Sequence, residues 1–300
     1  PVNAGPWLRT DGEPFAESIE LALAPENISF LPPRFDEFGN ELFESSNESF
    51  VRTGTDGSGR GTGNDCSDWN STSGTGSIGF INRVGTGWGS GGTLDCGNEM
   101  RLLCMERGPG PELSPFDADG KLIFASSATG TGDLASWSEA ESGSSGIEAG
   151  DSICRNLATD AGLPNPLAFK AWLSDSNNAA PVRIFSNGPW VRPDGVPVAA
   201  NGAELSSSFR NTGIAVTEQG NYLNNNIVWT GTGDDGSPGT DHCNNWQDSS
   251  GSFNGLSGIA YDSASRWSGA TFPSCDSTDA RLYCIEDVGP DVLFLDGFEQ

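Results

Sequence analysis

An internal repeat constrains this fold more than any other feature of the sequence. Residues 5–14, GPWLRTDGEP, recur as GPWVRPDGVP at residues 188–197. A Cys-x-x-Trp motif recurs at Cys66–Trp69 and Cys243–Trp246, and a closing segment recurs at residues 101–106 and 281–286. The matches keep their order, and their offset changes by only a few residues. The chain therefore contains two copies of one folding unit.

The two copies differ in completeness. Residues 121–287 form a complete domain, which we call the second copy. Residues 1–107, the first copy, have no counterpart of its opening strand, its helix or its helix cysteine, so we expect a partial domain that lacks its N-terminal part. The Pro-rich residues 108–120 are predicted to be a linker, and residues 288–300 a C-terminal tail strand outside the repeat.

The second copy carries the secondary-structure signals. Ile153, Leu157 and Ala158 recur at helical spacing from about residue 147, with Gly162 as a stop signal. Short apolar runs predict strands at residues 122–125, 168–173, 226–229 and 281–285. The expected class is α+β, rich in loops, with short antiparallel sheets.

Charge excludes several kinds of partner. The chain has 15 Lys and Arg against 41 Asp and Glu, a formal net charge of -26. Phosphate backbones and anionic membranes repel such a protein, so we expect no nucleic acid, no heparin-like polymer and no insertion into a membrane. The charge favours solubility or attraction of cations.

Seven cysteines indicate disulfides. They include no Cys-x-x-Cys pair, and the single histidine, His242, supplies a zinc site poorly. Disulfides in an oxidising compartment explain the cysteines better and predict an extracellular or cell-surface protein. Because seven is odd, at least one thiol lacks a partner within the chain.

These motifs together resemble a known fold. A helix cysteine is followed by Val228-Trp229-Thr230-Gly231, Cys243-Asn244-Asn245-Trp246, Cys275 and the closing segment Leu282–Glu286. This order resembles C-type lectin-like domains, in particular the endostatin-type branch, and is similar to uncharacterised bacterial secreted and surface proteins. The resemblance implies tandem, disulfide-stapled α+β domains. It says little about activity, since this fold hosts many binding roles.

The resemblance also implies how the cysteines pair. The family joins its first cysteine to its fourth and its second to its third. Carried over, Cys154 pairs with Cys284, Cys243 pairs with Cys275, and Cys66 pairs with Cys96 in the first copy. Cys104 is left unpaired or bonds to another molecule. Two alternatives stay open for it: a buried free thiol, or a partner outside this sequence.

The sugar and calcium motifs of such lectins are incomplete in this chain. Pro25-Glu26-Asn27 has the wrong order, and Asp68-Trp69-Asn70 is a near miss, so a calcium-dependent lectin of the usual kind is not expected. Calcium as a structural ion stays open, because hard cations bind oxygen-rich loops. The candidate ligands are Asp56, Asn64, Asp65 and Asp68 in the first copy and Asp234, Asp235, Asp241 and Asp248 in the second. Solvated turns would use the same residues.

An enzyme is not expected. A nucleophilic site would have to use His242, which lies beside Cys243, a cysteine that the resemblance places in a disulfide. The tryptophans mostly recur in both copies, which favours core packing over a ligand platform. They are Trp7, Trp69, Trp88, Trp190, Trp229, Trp246 and Trp267.

The tail and the closing segment of the first copy predict assembly. Val292, Leu293, Phe294 and Leu295 form an apolar run that packs on its own domain or on another molecule. Residues 101–106 lack the strand that should cover them. We expect a non-catalytic structural or adhesive protein that self-assembles, such as a subunit of a secreted filament. The alternative is a lectin-like receptor for a ligand or glycan, with a host or matrix protein as a further partner.

Overall fold

The fold, taken from a computed structural model, is a loop-rich mixture of short helices and strands. The structure describes residues 5–42, 49–116, 118–207, 209–224 and 227–288. The strands are β1 Trp7–Leu8, β2 Pro14–Ala16, β3 Phe50–Arg52, β4 Thr75–Phe80, β5 Gly92–Asp95, β6 Arg101–Leu102, β7 Lys121–Ala125, β8 Phe169–Ala171, β9 Trp190–Val191, β10 Pro197–Ala199, β11 Ile227–Trp229, β12 Ser257–Ile259 and β13 Arg281–Glu286. The α-helical segments are α1 Ile19–Ala22, α2 Cys66–Trp69, α3 Gly146–Asp160, α4 Ala180–Arg183, α5 Gly202–Leu205 and α6 Cys243–Trp246, and short 3-10 helices lie at Gly85–Trp88, Leu134–Ser136, Pro166–Ala168 and Ser265–Trp267.

The second copy is built on one seven-stranded sheet. Its order is β10-β9-β7-β13-β11-β12, and β8 pairs with β13 beside this path. The predicted helix is confirmed as α3, and the chain leaves it through Gly162, whose φ of +67° suits glycine. Ile153, Cys154 and Leu157 bury one face of α3 against the sheet.

The first copy repeats the framework of the second around the closing strand. It has a two-stranded sheet, β1-β2, and a four-stranded sheet, β5-β4-β3-β6. Val51 lies opposite Arg101, as Val228 lies opposite Arg281 in the second copy. The recurring motifs therefore occupy recurring places in the fold.

The sheets are mixed, which corrects the expectation of antiparallel sheets. The pairs β3–β6, β11–β13 and β7–β9 are parallel. The closing strand in each copy follows a long irregular segment rather than a tight hairpin, and only a hairpin would enforce the antiparallel direction.

The predicted strand at residues 101–106 is shorter than expected. Only Arg101–Leu102 is strand, whereas its counterpart β13 extends over Arg281–Glu286. In the second copy, β11 pairs with Arg281 and Leu282, while β7 and β8 pair with the residues beyond them. Counterparts of β7 and β8 are missing from the described part of the first copy, so its closing strand ends where its pairing with β3 ends.

Three disulfides staple the two copies internally. They join Cys66 to Cys96, Cys154 to Cys284 and Cys243 to Cys275, the pairs that the resemblance implies. Their Cα–Cα separations of 5.7, 5.3 and 5.6 Å are ordinary for disulfides. Cys104 is free and exposed, so the alternative of a buried thiol is wrong. Within the described parts of the chain, no helix is long and apolar enough to cross a membrane.

The two copies also contact each other through a buried ion pair. Arg83 Nε lies 3.0 Å from Asp262 Oδ2, and both side chains are almost fully buried. Asn82 donates a hydrogen bond to the same carboxylate, at 3.1 Å. Two backbone bonds flank the pair, from Val84 N to the Tyr261 carbonyl and from Ser263 N to the Asn82 carbonyl.

Candidate functional site: an open strand position

In the second copy, strand β7 is the central strand between β9 and β13. Lys121 and Leu122 run parallel to Trp190 and Val191. Ile123, Phe124 and Ala125 then pair antiparallel with the closing strand β13, and all three side chains are fully buried. This strand therefore joins the two halves of the sheet.

The first copy holds counterparts of the two flanking segments, joined by an equivalent hydrogen bond. The indole Nε1 of Trp7 donates a hydrogen bond to the Glu106 carbonyl at 3.0 Å. In the second copy, Trp190 makes the equivalent bond to the Glu286 carbonyl at 3.2 Å. The equivalent bond relates the two segments in the same way in both copies, and it leaves the position of the central strand recognisable in the first copy.

A groove of about 430 Å³ lies at this position. In the second copy, β7 pairs with the counterparts of five groove residues: Trp7, Leu8, Leu103, Cys104 and Met105. The walls are formed by Pro6, Trp7, Leu8, Arg9, Thr10, Phe15, Pro33, Phe35, Leu103, Cys104, Met105, Glu106, Gly108, Pro109, Gly110 and Pro111.

The closing segment of the first copy presents two different faces. Leu103 and Met105 pack against the small core that contains Trp7, Phe15 and Trp88. Leu102 and Cys104 point the other way, and Leu102 is 71% exposed. Their counterparts, Leu282 and Cys284, are fully buried. This alternation is that of a strand buried on one face and open on the other.

The open face differs in chemistry from its counterpart. Trp69 is 51% exposed, whereas Trp246 is fully buried, so the expected core role is wrong for Trp69. Arg52 replaces Trp229, which packs in the core beneath α3. The Arg52 guanidinium donates hydrogen bonds to the carbonyls of Leu94, Asp95 and Asn98. Covering the charged Arg52 side chain with a helix, as α3 covers Trp229, would therefore be unfavourable.

The linker closes one end of the groove. Gly5 N donates to the Gly108 carbonyl at 3.2 Å, and Gly110 N donates to the Gly5 carbonyl at 3.1 Å. In the second copy, Lys121 N bonds the carbonyl of Pro189, the counterpart of Pro6. Residues 108–110 of the linker therefore lie about where a strand equivalent to β7 would begin, and the groove continues beyond them.

An Arg-x-Asp turn lies next to β1 and again next to β9. Arg9 lines the groove and bonds Asp11 at 2.5 Å, and Arg192 bonds Asp194 at 2.6 Å. Tyr222 also donates a hydrogen bond to Asp194, at 2.5 Å. Burial alone would raise the pKa of Asp194, but the positive charge of Arg192 and these hydrogen bonds outweigh it and lower the pKa. Burial raises the pKa of Tyr222.

The predicted acidic loops form turns in the structure. Asp56, Asp235 and Asp248 each accept a backbone N–H two residues later, and Asp65 caps α2 through the Asp68 N–H. The isolated bridges Thr55–Gly61 and Thr232–Pro238 place the two loops at equivalent positions. Asp234 and Asp241 lie in the same loop of the second copy.

No described group of three or more His, Cys, Asp or Glu side chains is arranged to hold a metal ion. Calcium therefore stays a prediction without an assembled site. His242 caps α6, since its Nδ1 accepts a hydrogen bond from Asn245 N at 2.9 Å.

Sequence reasoning predicted the open edge but missed the opposite wall of the groove. Core packing is the sequence-based expectation for Trp7, and the match of Trp7 and Leu8 to Trp190 and Val191 is the signal that could have revealed the wall. The predicted assembly residues Val292, Leu293, Phe294 and Leu295 lie outside the described residues. Compared with known protein families and with curated proteins, the sequence matches none.

Proposed function

We propose that this protein is a non-catalytic interaction protein of the extracellular space, whose first copy binds an extended segment of a partner chain. The supporting observation is the groove between β1 and residues 103–106, at the position that β7 fills in the second copy. Strand addition supplies both backbone hydrogen bonds and pockets for alternate side chains.

Three observations support the extracellular setting and the domain type. The disulfides suit an oxidising compartment. The net charge of -26 suits solubility there. The equivalent closing-strand registers of the two copies support tandem domains, which the sequence motifs relate to the C-type lectin-like fold.

A peptide that copies β7 tests the proposal directly. We expect a fluorescent peptide of residues 119–127 to bind the full-length protein, because the groove lies at the strand position that β7 fills in the second copy. Fluorescence anisotropy measures the affinity. The same peptide with Ile123→Asp is the matched control and should bind at least about tenfold more weakly, because this side chain would face the small core on which Leu103 and Met105 pack, where a carboxylate would be buried without a partner.

A groove variant shows where the peptide binds. Leu8 lines the groove and is 41% exposed, so Leu8→Asp should leave the fold intact and weaken peptide binding. Binding that is absent at millimolar peptide, or that Leu8→Asp leaves unchanged, contradicts the proposed function.

A further inference from the structure

We propose that the occupant of the groove is the segment Asp291–Asp296 of a second copy of this chain. The inference rests on the proposed function and names the partner. The chain offers 12 residues beyond Val288, the last described residue, and this segment lies among them. Its sequence, DVLFLD, can be set against KLIFAS at residues 121–126, which fill the same position in the second copy.

The register follows from the second copy. Phe124 pairs with Cys284, and Ile123 pairs with Ile285. Transferred to the groove, Phe294 lies opposite Cys104 and Leu293 lies opposite Met105. Successive side chains of a strand point to opposite faces. Leu293 therefore faces the small core, while Phe294 covers the exposed side on which Leu102 and Cys104 lie.

Side-chain volume agrees with this register. Ala125 pairs with Tyr283 in the second copy, and both are fully buried. In the groove the corresponding pair is Leu295 with Leu103. A larger donor residue meets a smaller acceptor residue, so the combined volume is roughly kept, which is the exchange that cores tolerate best.

Charge agrees as well. In the second copy, Arg281 donates hydrogen bonds to the carbonyls of Ser126 and Ser127, at 2.5 and 2.7 Å. Its counterpart Arg101 is exposed. The tail residue that corresponds to Ser126 is Asp296, so docking places a carboxylate beside Arg101 in a protein that is otherwise strongly acidic.

We assign the donor to a second molecule, because a short tether lets the tail reach only a groove close to Asp287, and a neighbouring molecule can place its own groove there. Asp287 is anchored within the second copy, where it accepts hydrogen bonds from Lys170 at 2.7 Å and Ser186 N at 2.6 Å. Only residues 288–290 separate it from Asp291, which limits the reach to about 14 Å. Donation from each molecule to the next is head-to-tail and produces chains or rings.

A disulfide trap tests the register. In the variant Phe294→Cys, the new thiol should lie opposite Cys104 at a Cα separation of about 4.5–5.5 Å, within reach of a disulfide. Oxidised glutathione, which is reduced to two thiols as the protein bond forms, should convert this variant into linked dimers and larger species on a non-reducing gel. Leu293→Cys, whose side chain faces the core, should form at least about fivefold less of these linked species. Phe294→Cys with Cys104→Ser keeps a single free thiol and should therefore form no linked species larger than a dimer.

Each outcome of the trap is decisive. Equal linking through Cys104 in the Leu293→Cys and Phe294→Cys variants contradicts the register. A disulfide within one molecule, identified by the intact mass of a monomer, contradicts the assignment of the tail to a second molecule. Absence of linking contradicts docking of the tail. If the peptide of residues 119–127 still binds in that case, the proposed function stands and only this inference fails.

A charge exchange keeps Phe294 in place and tests the same docking independently. Arg101→Glu and Asp296→Arg should each weaken self-association, measured by sedimentation velocity, by about threefold or more, since each puts like charges together. The double variant should return to within about threefold of the original affinity. Additive weakening in the double variant, or no effect of either change, overturns the inference.

Discussion

At the scale of single residues, Cys104 and Cys284 form a natural pair for comparison. They occupy equivalent positions, but Cys284 is bonded to Cys154, 130 residues away, and Cys104 is exposed and free. We expect Cys284→Ser to lower the free energy of unfolding by about 2–5 kcal/mol, because it releases a long loop in the unfolded chain. Cys104→Ser should change it by less than about 0.5 kcal/mol. Urea unfolding of dilute protein measures both, and equal effects would contradict the pairing.

Asp194 makes the free energy of unfolding depend on pH, and the groups around its carboxyl determine the direction of that dependence. Arg192 and Tyr222 lower the pKa of its carboxyl in the folded protein. As the pH falls, this carboxyl therefore takes up its proton at a higher pH in the unfolded state than in the folded state. Its contribution to the free energy of unfolding is complete above the unfolded pKa of about 3.9 and is lost as the pH falls below that value.

We therefore expect Asp194→Asn to destabilise the protein at neutral pH, by an amount that shrinks as the pH drops below about 4. Unfolding free energies from urea titrations between about pH 3 and 7 measure the difference between the variant and the original protein. Two parallel profiles with a constant gap over this range would contradict the lowered pKa.

At the scale of elements, the Cys-x-x-Trp turn combines two uncommon properties. All four residues Cys66–Trp69 have φ between 53° and 62°, and Cys243–Trp246 repeat this conformation. Left-handed backbone costs about 1–2 kcal/mol per residue other than glycine. In each turn a disulfide holds the strained segment in place, and in the second turn the buried Trp246 anchors it as well.

The exposed Ser67 allows this conformation to be tested. Ser67→Gly should be more stable than Ser67→Ala by about 1 kcal/mol, because only glycine adopts positive φ without strain. Asn156 in α3 is the control, and there the alanine variant should be the more stable one by about 1 kcal/mol. Thermal or urea unfolding measures the difference in stability between the glycine and alanine variants at each position. Alanine favoured at both positions would show that the turn at Ser67 is not left-handed.

The elements also show which parts of this structure a sequence can predict. Helix α3 follows from the spacing of Ile153, Leu157 and Ala158, because periodic burial is a local property. The left-handed turns could not be predicted in this way, because no local preference favours four consecutive residues with positive φ. Contacts with distant parts of the chain, such as the disulfides, hold them. The open strand position was half predicted: the repeat indicated the uncovered closing segment, but the wall at Trp7 depends on a bond to Glu106, 99 residues away.

At the scale of the whole molecule, the two copies are joined by more than the linker. The Asp262 carboxylate of the second copy accepts hydrogen bonds from Asn82 and Arg83 of the first, and it is fully buried. Removing one partner of a buried pair leaves the other charge without compensation, which typically destabilises by about 3–5 kcal/mol. The loop at residues 82–84 thus depends on a residue of the other copy.

We expect Asp262→Asn to destabilise the first copy in particular, although the substitution lies in the second. Amide hydrogen exchange followed by mass spectrometry should show faster exchange in residues 49–107, because the loop that ties them to the second copy is released. The second copy keeps its two disulfides and its own core, so exchange in α3 and β7 should change much less. Asp279→Asn, an exposed change, is the control and should leave both copies as they are. Faster exchange confined to the second copy would show that the ion pair does not couple the two.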